Sequence, residues 1–426
     1  MLIVLIAFLV LMAIGMPVAF SIGIAGALYF VQHPELPATI PIQQTVSQTQ
    51  NFALLAIPLF IMAGNLMNAS GITGRLLDLA SVIAGRLKGG LAQVSLALSV
   101  LMGGVSGSAI ADAAMQSRML GREMIDRGMS RGFTAAVLSF GSLLTPVIPP
   151  GLGFIIYGTI GQVSIGRLFA AGLLPAMLLW AALAAAVSLT ANRRGYPAAR
   201  QRRASLPEAL QALRGGIWAL LFPVILLLGL RMGVFTPSEI GAFAVAYAVV
   251  IGLLAYRKLN GGSFLQAMEG TLSDVGSVMF LIALSAVFTY GIVLDRIPEM
   301  VSQSMLSLTD NLDAAMSLIV ILVLVCGFFI DATVLIIMLT PIFLPLVESL
   351  GGDPVHFGVV FVIAATIGNF TPPVGAAMFA VCSVLKCPVG EYTRESIPLM
   401  AAVLLSTLLL IFLPDFVLVL PNLLFD

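Results

Sequence analysis

Residues 103 to 112 read Gly103-Gly104-Val105-Ser106-Gly107-Ser108-Ala109-Ile110-Ala111-Asp112, at the centre of an apolar run from 89 to 117. Arg86 and Lys88 precede the run, and Arg118, Arg122, Arg127 and Arg131 follow it. Basic residues beside apolar segments stay on the cytoplasmic side, so both ends of this run are expected to face one compartment. A segment that enters and leaves by the same side is a re-entrant hairpin, and the glycine-rich centre supplies its tip. A single tilted helix is the competing reading.

Working outward, the most basic connection spans 192 to 216, with Arg193, Arg194, Arg200, Arg202, Arg203 and Arg214, and it divides the chain nearly in half. By the same rule it is cytoplasmic. In the second half the apolar run 314 to 347 is flanked by Asp310, Asp313, Glu348 and Asp353, without nearby Lys or Arg, so both of its ends are expected on the opposite side. Each arm of such a hairpin has about 16 residues, roughly 24 Å of helix, which is short of a full crossing. The halves also resemble each other: Pro17 corresponds to Pro237, Asp112 to Asp331 and Thr145-Pro146 to Thr371-Pro372. All three pairs are offset by about 220 residues, the mark of an internal repeat, and hairpins opening on opposite sides make it an inverted one. The expected fold is therefore an all-α polytopic membrane protein. Residues 1–191 form the first repeat, with a hairpin at 89–117 and a broken helix at 133–165. A linker covers 192–216, and 217–426 form the second repeat, with a hairpin at 314–347 and a broken helix at 357–385.

Composition agrees with that class and excludes others. Of the residues, 60% are hydrophobic and 9% are charged, more apolar surface than a soluble domain of this size can hide. Twenty basic residues balance twenty acidic ones, which gives nucleic acid no reason to bind. Cys326, Cys382 and Cys387 lack paired spacing and His33 and His356 stand alone, so zinc, haem and disulfide readings are poor. No Gly-Lys-Ser/Thr signature offers an ATP-driven engine. Residues 1 to 31 lack a basic leader region and are read as retained membrane segments. They form either two passes broken at Gly15 to Pro17, which the repeat favours, or one bent helix.

The residues that could carry chemistry are few. Between Lys88 and Arg118 the one charged residue is Asp112, and between Asp313 and Glu348 it is Asp331. An ionisable group at such depth costs on the order of 2.5 to 3.5 kcal/mol by insertion scales unless a cation or polar partner compensates it. Capping a half-helix, or reaching water in a cavity, is the structural alternative for each. Beside each aspartate the helical pattern breaks, over Ser139-Phe140-Gly141-Ser142-Leu143-Leu144-Thr145-Pro146-Val147-Ile148-Pro149-Pro150-Gly151 and over Gly368-Asn369-Phe370-Thr371-Pro372-Pro373-Val374-Gly375. Proline lacks an N–H and clashes with the carbonyl one turn back, so backbone carbonyls are freed there. Freed carbonyls with Ser, Thr and Asn oxygens resemble the shell of a hard cation, and half-helix N-termini suit a carboxylate. One Thr-Pro break is also what a kinked structural helix shows; two, each paired with a hairpin and an isolated Asp, carry more weight. Elsewhere, Thr236-Pro237-Ser238-Glu239 fits a capping box with Glu239 as end cap. Ser205, Leu206, Pro207 and Glu208 start an amphipathic stretch expected at the interface.

At these residues the sequence resembles the large, DctM-like membrane subunit of tripartite ATP-independent periplasmic (TRAP) transporters, within the ion transporter superfamily. The resemblance runs from Ala56-Ile57-Pro58-Leu59-Phe60-Ile61-Met62-Ala63-Gly64 through Ser106 to Asp112, Phe235-Thr236-Pro237-Ser238-Glu239 and Asp331-Ala332-Thr333 to Asn369-Phe370-Thr371-Pro372-Pro373-Val374-Gly375, essentially the whole chain. It implies an elevator carrier in the bacterial inner membrane, with a scaffold and a mobile region, driven by sodium and moving a small organic acid. It implies a first sodium site at Ser106, Ser108, Asp112, Ser142 and Thr145, and a second at Asp331, Gly368 and Thr371. Pro146, Thr333, Asn369 and Pro372 complete the implied substrate and ion contacts. Implied partners are a small four-helix membrane subunit, expected as a separate chain because this one begins directly at the large subunit, and a periplasmic substrate-binding protein. No enzymatic activity and no cofactor beyond the coupling sodium are expected. Dicarboxylates, keto acids, sugar acids and sialic acid all suit such a pocket. Alternatives are a stand-alone sodium and dicarboxylate symporter, an intramembrane aspartyl protease whose two carboxylates share a proton, and a structural or receptor role.

Overall fold

The computed structural model describes residues 2–200, 202, 204–372 and 375–425. Arg203 of the basic linker and Pro373 and Val374 of the second break lie outside the described residues. Among the described residues every regular element is helical, and seven helices are long and apolar enough to cross a membrane. The fold is all-α and polytopic.

The first half contains α1 (Leu2–Ala13), α2 (Val18–Gln32), α3 (Ile40–Thr49), α4 (Ala56–Ala69), α5 (Ile72–Ala84), α6 (Leu91–Gly103), α7 (Ala109–Gln116), α8 (Arg122–Asp126), α9 (Arg131–Ser142), α10 (Leu152–Ile160) and α11 (Ile165–Arg194). The second contains α12 (Leu206–Arg231), α13 (Pro237–Val250), α14 (Gly261–Leu294), α15 (Ile297–Leu308), α16 (Leu312–Gly327), α17 (Ala332–Ser349), α18 (Pro354–Ile367), α19 (Ala376–Leu385), α20 (Val389–Ile411) and α21 (Pro414–Phe425). The N-terminal segment is two helices packed on each other, parted at Gly15, whose φ of +85° suits glycine, and restarted after Pro17.

Local chemistry sets several of these boundaries. Thr236 and Glu239 form the reciprocal capping box at the start of α13: the Thr236 N–H donates to Glu239 Oε2 at 2.7 Å, and the Glu239 N–H to Thr236 Oγ1 at 3.3 Å. Ser205 and Glu208 do the same for α12. The stretch after Ser205 is not a separate amphipathic helix, however. It runs without interruption into the apolar part of α12, where Gly216 lets Leu79 and Leu76 of α5 approach the helix backbone. The first hairpin also continues beyond 117. Its outgoing arm passes through a π-turn at Ser117–Gly121 into α8, because Arg118 and Arg122 sit on the exposed face while Leu120 and Met124 stay buried.

Two groups of helices emerge. In the outer one, α2 and α4 pack on α14, α13 packs on α4, and α12 packs on α5. In the inner one, α9 packs on α20, and α18 packs on α16 and α17. Every residue of α18 from Val355 to Ile367 is buried, and so is every residue of α9 from Gly132 to Ser142. A helix that is apolar and buried all round is a core helix. Contacts of α10 with α4 and of α17 with α14 join the groups, and the candidate site lies at that junction.

Candidate functional site at the hairpin tips

The first hairpin is α6 and α7, tied across its arms by Gln116, whose Nε2 donates to Ser99 Oγ at 2.9 Å. Gly107 turns the tip with a φ of +64°, and a Cβ there would lie 2.9 Å from the Pro150 carbonyl oxygen. The tip therefore lies against the first break, between α9 and α10. It also rests on α4: a Cβ on Gly64 would stand 3.1 Å from the carbonyl oxygens of Val105 and Ser106. The second hairpin is α16 and α17. Its turn meets the second break backbone to backbone, with Gly327 directly against Gly368. Each hairpin tip is thus seated on the broken helix of its own half, with glycine where the chains touch.

Asp112 lies in the first turn of α7 and is 1% exposed. Its Oδ2 accepts a hydrogen bond from Thr145 Oγ1 at 2.8 Å, from inside the first break. Oδ1 is buried and has no hydrogen-bond partner among the described residues, although the Ser106 side chain lies beside the carboxyl. Ser108 is the N-cap of α7, accepting from the Ala111 N–H at 3.4 Å. Ser142 is buried, but its hydroxyl turns back to the Ser139 carbonyl at 2.7 Å.

Asp331 takes the capping role set out as its structural alternative. It is the N-cap of α17, and its Oδ1 accepts from the Thr333 N–H at 2.8 Å. Thr371 Oγ1 donates to the Gly368 carbonyl at 3.1 Å, inside the second break. Pro372 is half-buried.

A cavity of about 460 Å³ opens between the two groups of helices, and both hairpin tips reach it. Ser106, Ser108, Pro146, Asp331, Thr333 and Asn369 line it. Asp112, Thr145, Ser142, Gly368, Thr371 and Pro372 do not; Asp112 and Thr145 are buried behind the Ser106 to Ala111 wall. The two predicted centres therefore converge on one space, one of them through its wall. The two carboxylates have separate partners, Thr145 and Thr333, and among the described residues no hydrogen bond joins them as in a protease dyad.

Three residues beside these features were not singled out from the sequence. Asp274 on α14 and Asn65 on α4 line the same cavity from the outer group, and Asn65 Nδ2 donates to Asp274 Oδ2 at 3.3 Å and to Thr271 Oγ1 at 3.2 Å. Asp274 had a signal, being the one charged residue between Glu269 and Asp295, with mostly apolar residues following it up to Leu294. Tyr392 on α20 carried none. It is fully buried, bonded to Ser139 Oγ at 3.1 Å and to the Phe370 carbonyl at 2.7 Å, and so links the two breaks.

Residues 5–416 match the family model described as the DctM component of tripartite ATP-independent periplasmic transporters. The chain belongs to this family. Among relatives, the 2,3-diketo-L-gulonate TRAP transporter large permease protein YiaN of Escherichia coli is 34% identical over 405 residues, covering 95% of each chain. The isethionate TRAP transporter permease protein DctMQ of Oleidesulfovibrio alaskensis is 33% identical over 407 residues, covering 96% of this chain and 64% of that longer protein. In fold the chain is similar to the YdaH transporter of Alcanivorax borkumensis, with a TM-score of 0.63, 16% identity and 88% of each chain covered. As a TRAP large permease the chain is a multi-pass membrane transport protein and not an enzyme. The hairpins, breaks and shared cavity are its candidate translocation machinery.

Proposed function

We propose that this TRAP large permease is the translocating subunit of a sodium-coupled carrier that moves a small organic anion across the bacterial inner membrane. The observation that carries the reading is Asp112. Its carboxylate is buried, its Oδ2 has one neutral donor in Thr145, and its Oδ1 has no partner among the described residues. A buried, unpaired carboxylate is costly, and a monovalent cation on oxygen ligands relieves that cost. Asp112, Thr145 and Ser106 supply such oxygens, with Ser108 and Ser142 holding the adjacent backbone. A second ion would draw on the free oxygen of Asp331 and on the Gly368 to Thr371 break. Hairpins opening to opposite sides, related by the inverted repeat, would expose the cavity alternately as the inner group of helices moves against the outer one.

Coupling to sodium is energetically sufficient: each ion moving down a 100 mV potential releases about 2.3 kcal/mol before any concentration term. The anion is proposed from relatives named for a sugar-derived acid and a sulfonate, both small organic anions. Partners are proposed on the same basis. A small membrane subunit follows from the relative named as a joined DctMQ protein, and a periplasmic binding protein follows from the family's description.

The test is thermal unfolding of the purified chain in sodium against matched potassium or choline, for the parent and for Asp112→Ala and Asp331→Ala. A ligand that binds only the folded state stabilises it by RT ln(1 + [L]/Kd). Sodium-specific stabilisation that weakens in both variants supports two ion sites. Equal behaviour in sodium and potassium for all three proteins removes the basis for sodium coupling.

A further inference from the structure

The cavity has an unusual charge balance for a site that would receive an anion. Its charged lining residues are Asp331 from the second hairpin and Asp274 from α14, and no lysine, arginine or histidine lines it among the described residues. Asp331 is partly satisfied by the N-terminus of α17, which it caps. Asp274 has no such compensation. Among the described residues only its Oδ2 is bonded, to the Asn65 amide at 3.3 Å, it makes no ion pair, and the side chain is exposed. Asn65 is itself braced by Thr271, whose hydroxyl donates to the Ala267 carbonyl at 2.7 Å. This bracing aims a carboxylate with one open oxygen at a water-accessible cavity lined by Ser106, Ser108 and Asn369 on the facing wall.

A fixed carboxylate does two things to an incoming organic anion. It repels a second carboxylate on the substrate, and it accepts strongly from a hydroxyl or ammonium group. Like charges brought together are a device of selectivity as much as attraction is. Sodium bound beside Asp331 or Asp112 would neutralise its own site and leave Asp274 charged. We propose that Asp274 is a specificity-determining residue that selects monoanions bearing a hydrogen-bond donor, hydroxyl or ammonium, over simple dicarboxylates, with Asn65 as its positioning residue. This rests on the reading of the cavity as the anion site and narrows it.

The experiment is thermal unfolding of the purified full chain in saturating sodium at pH 7, titrated with gluconate, succinate and butyrate. These are a hydroxylated monoanion, a dianion without donors and a monoanion without donors. Gluconate is expected to stabilise the parent at a concentration about tenfold below either of the others, the size of one charge-assisted hydrogen bond. Asp274→Asn is expected to raise the gluconate requirement about tenfold and to close the gap to succinate. Asn65→Ala, which leaves the charge but not its orientation, shifts gluconate in the same direction by less, and it serves should Asp274→Asn fail to fold. Succinate binding the parent as well as gluconate does, or an unchanged ranking in the variants, overturns the proposal. Stabilisation by sodium with no response to any of the anions overturns it too, while leaving the coupling reading intact. Loss of the sodium response with the anion ranking preserved does the reverse.

Discussion

Tyr392 donates its phenolic hydroxyl to the carbonyl oxygen of Phe370 at 2.7 Å, inside the second break and with no access to solvent. That carbonyl belongs to a short 3₁₀ turn, Gly368–Phe370, where α18 ends, so the phenol replaces a bond that the interrupted helix cannot make. The same hydroxyl lies 3.1 Å from Ser139 Oγ on α9, so one side chain braces the helices leading into both breaks.

Tyr392→Phe keeps the ring and its packing but leaves the Phe370 carbonyl unpaired. An unsatisfied buried acceptor costs about 1–3 kcal/mol, so the unfolding midpoint should fall measurably in detergent. A midpoint equal to the parent's would show that the bond does not brace the break.

Thr145 donates its hydroxyl to Asp112 Oδ2 at 2.8 Å. Thr145→Val removes the donor at nearly constant volume, whereas Thr145→Ser retains it. The valine variant is expected to unfold earlier in choline by about 1–3 kcal/mol and to respond less to sodium; the serine variant should track the parent in both. Should the valine variant keep the full sodium response, Thr145 is not part of the ion site.

Asp331 can be tested for its two roles separately. Asparagine caps a helix about as well as aspartate, while alanine gives up roughly 1 kcal/mol. Asp331→Asn should therefore match the parent in choline and lose part of the sodium-dependent shift, and Asp331→Ala should lose both. An asparagine variant with the whole sodium shift assigns Asp331 to capping alone.

Gly368 and Gly327 leave no room between the second break and its hairpin. Gly368→Ala forces the two backbones apart, at a cost of about 1–3 kcal/mol for overpacking. The same holds for Gly103→Ala, where the new Cβ would lie 2.6 Å from Ile148 Cβ. Both variants are expected to lower the unfolding midpoint, and Gly74→Ala, where nothing lies within 4 Å, is the control that should not. Equal midpoints for all three variants would mean that the tips yield without cost.

Much of the hairpin-and-break pattern was readable because it is local. Isolated carboxylates, a glycine-rich turn and Thr-Pro breaks announce themselves in a lipid-soluble chain, where each polar or helix-breaking residue needs a reason. The end of the first hairpin was misplaced because Arg118 was read as the end of a segment, while the helix carries that charge on an exposed face and keeps winding. Ser142 and Thr371 were placed near the right breaks, yet their hydroxyls bond to the Ser139 and Gly368 carbonyls, a choice between local and distant partners that spacing does not resolve.

The sequence by itself determined the class, the capping boxes at Ser205 and Thr236, and the isolation of the two aspartates in apolar runs, since all of these follow from composition, charge next to apolar runs and neighbours within a few residues. Only the tertiary structure decided that both hairpin tips reach one cavity, that Asp112 stands behind its wall while Asp331 caps a helix on it, that Asn65 and Asp274 line that cavity, and that Tyr392 links the two breaks. The reason is separation along the chain: Asn65 meets Asp274 across 209 residues, and Ser139 meets Tyr392 across 253, and contacts of that range are set by how helices pack rather than by any pattern within one of them.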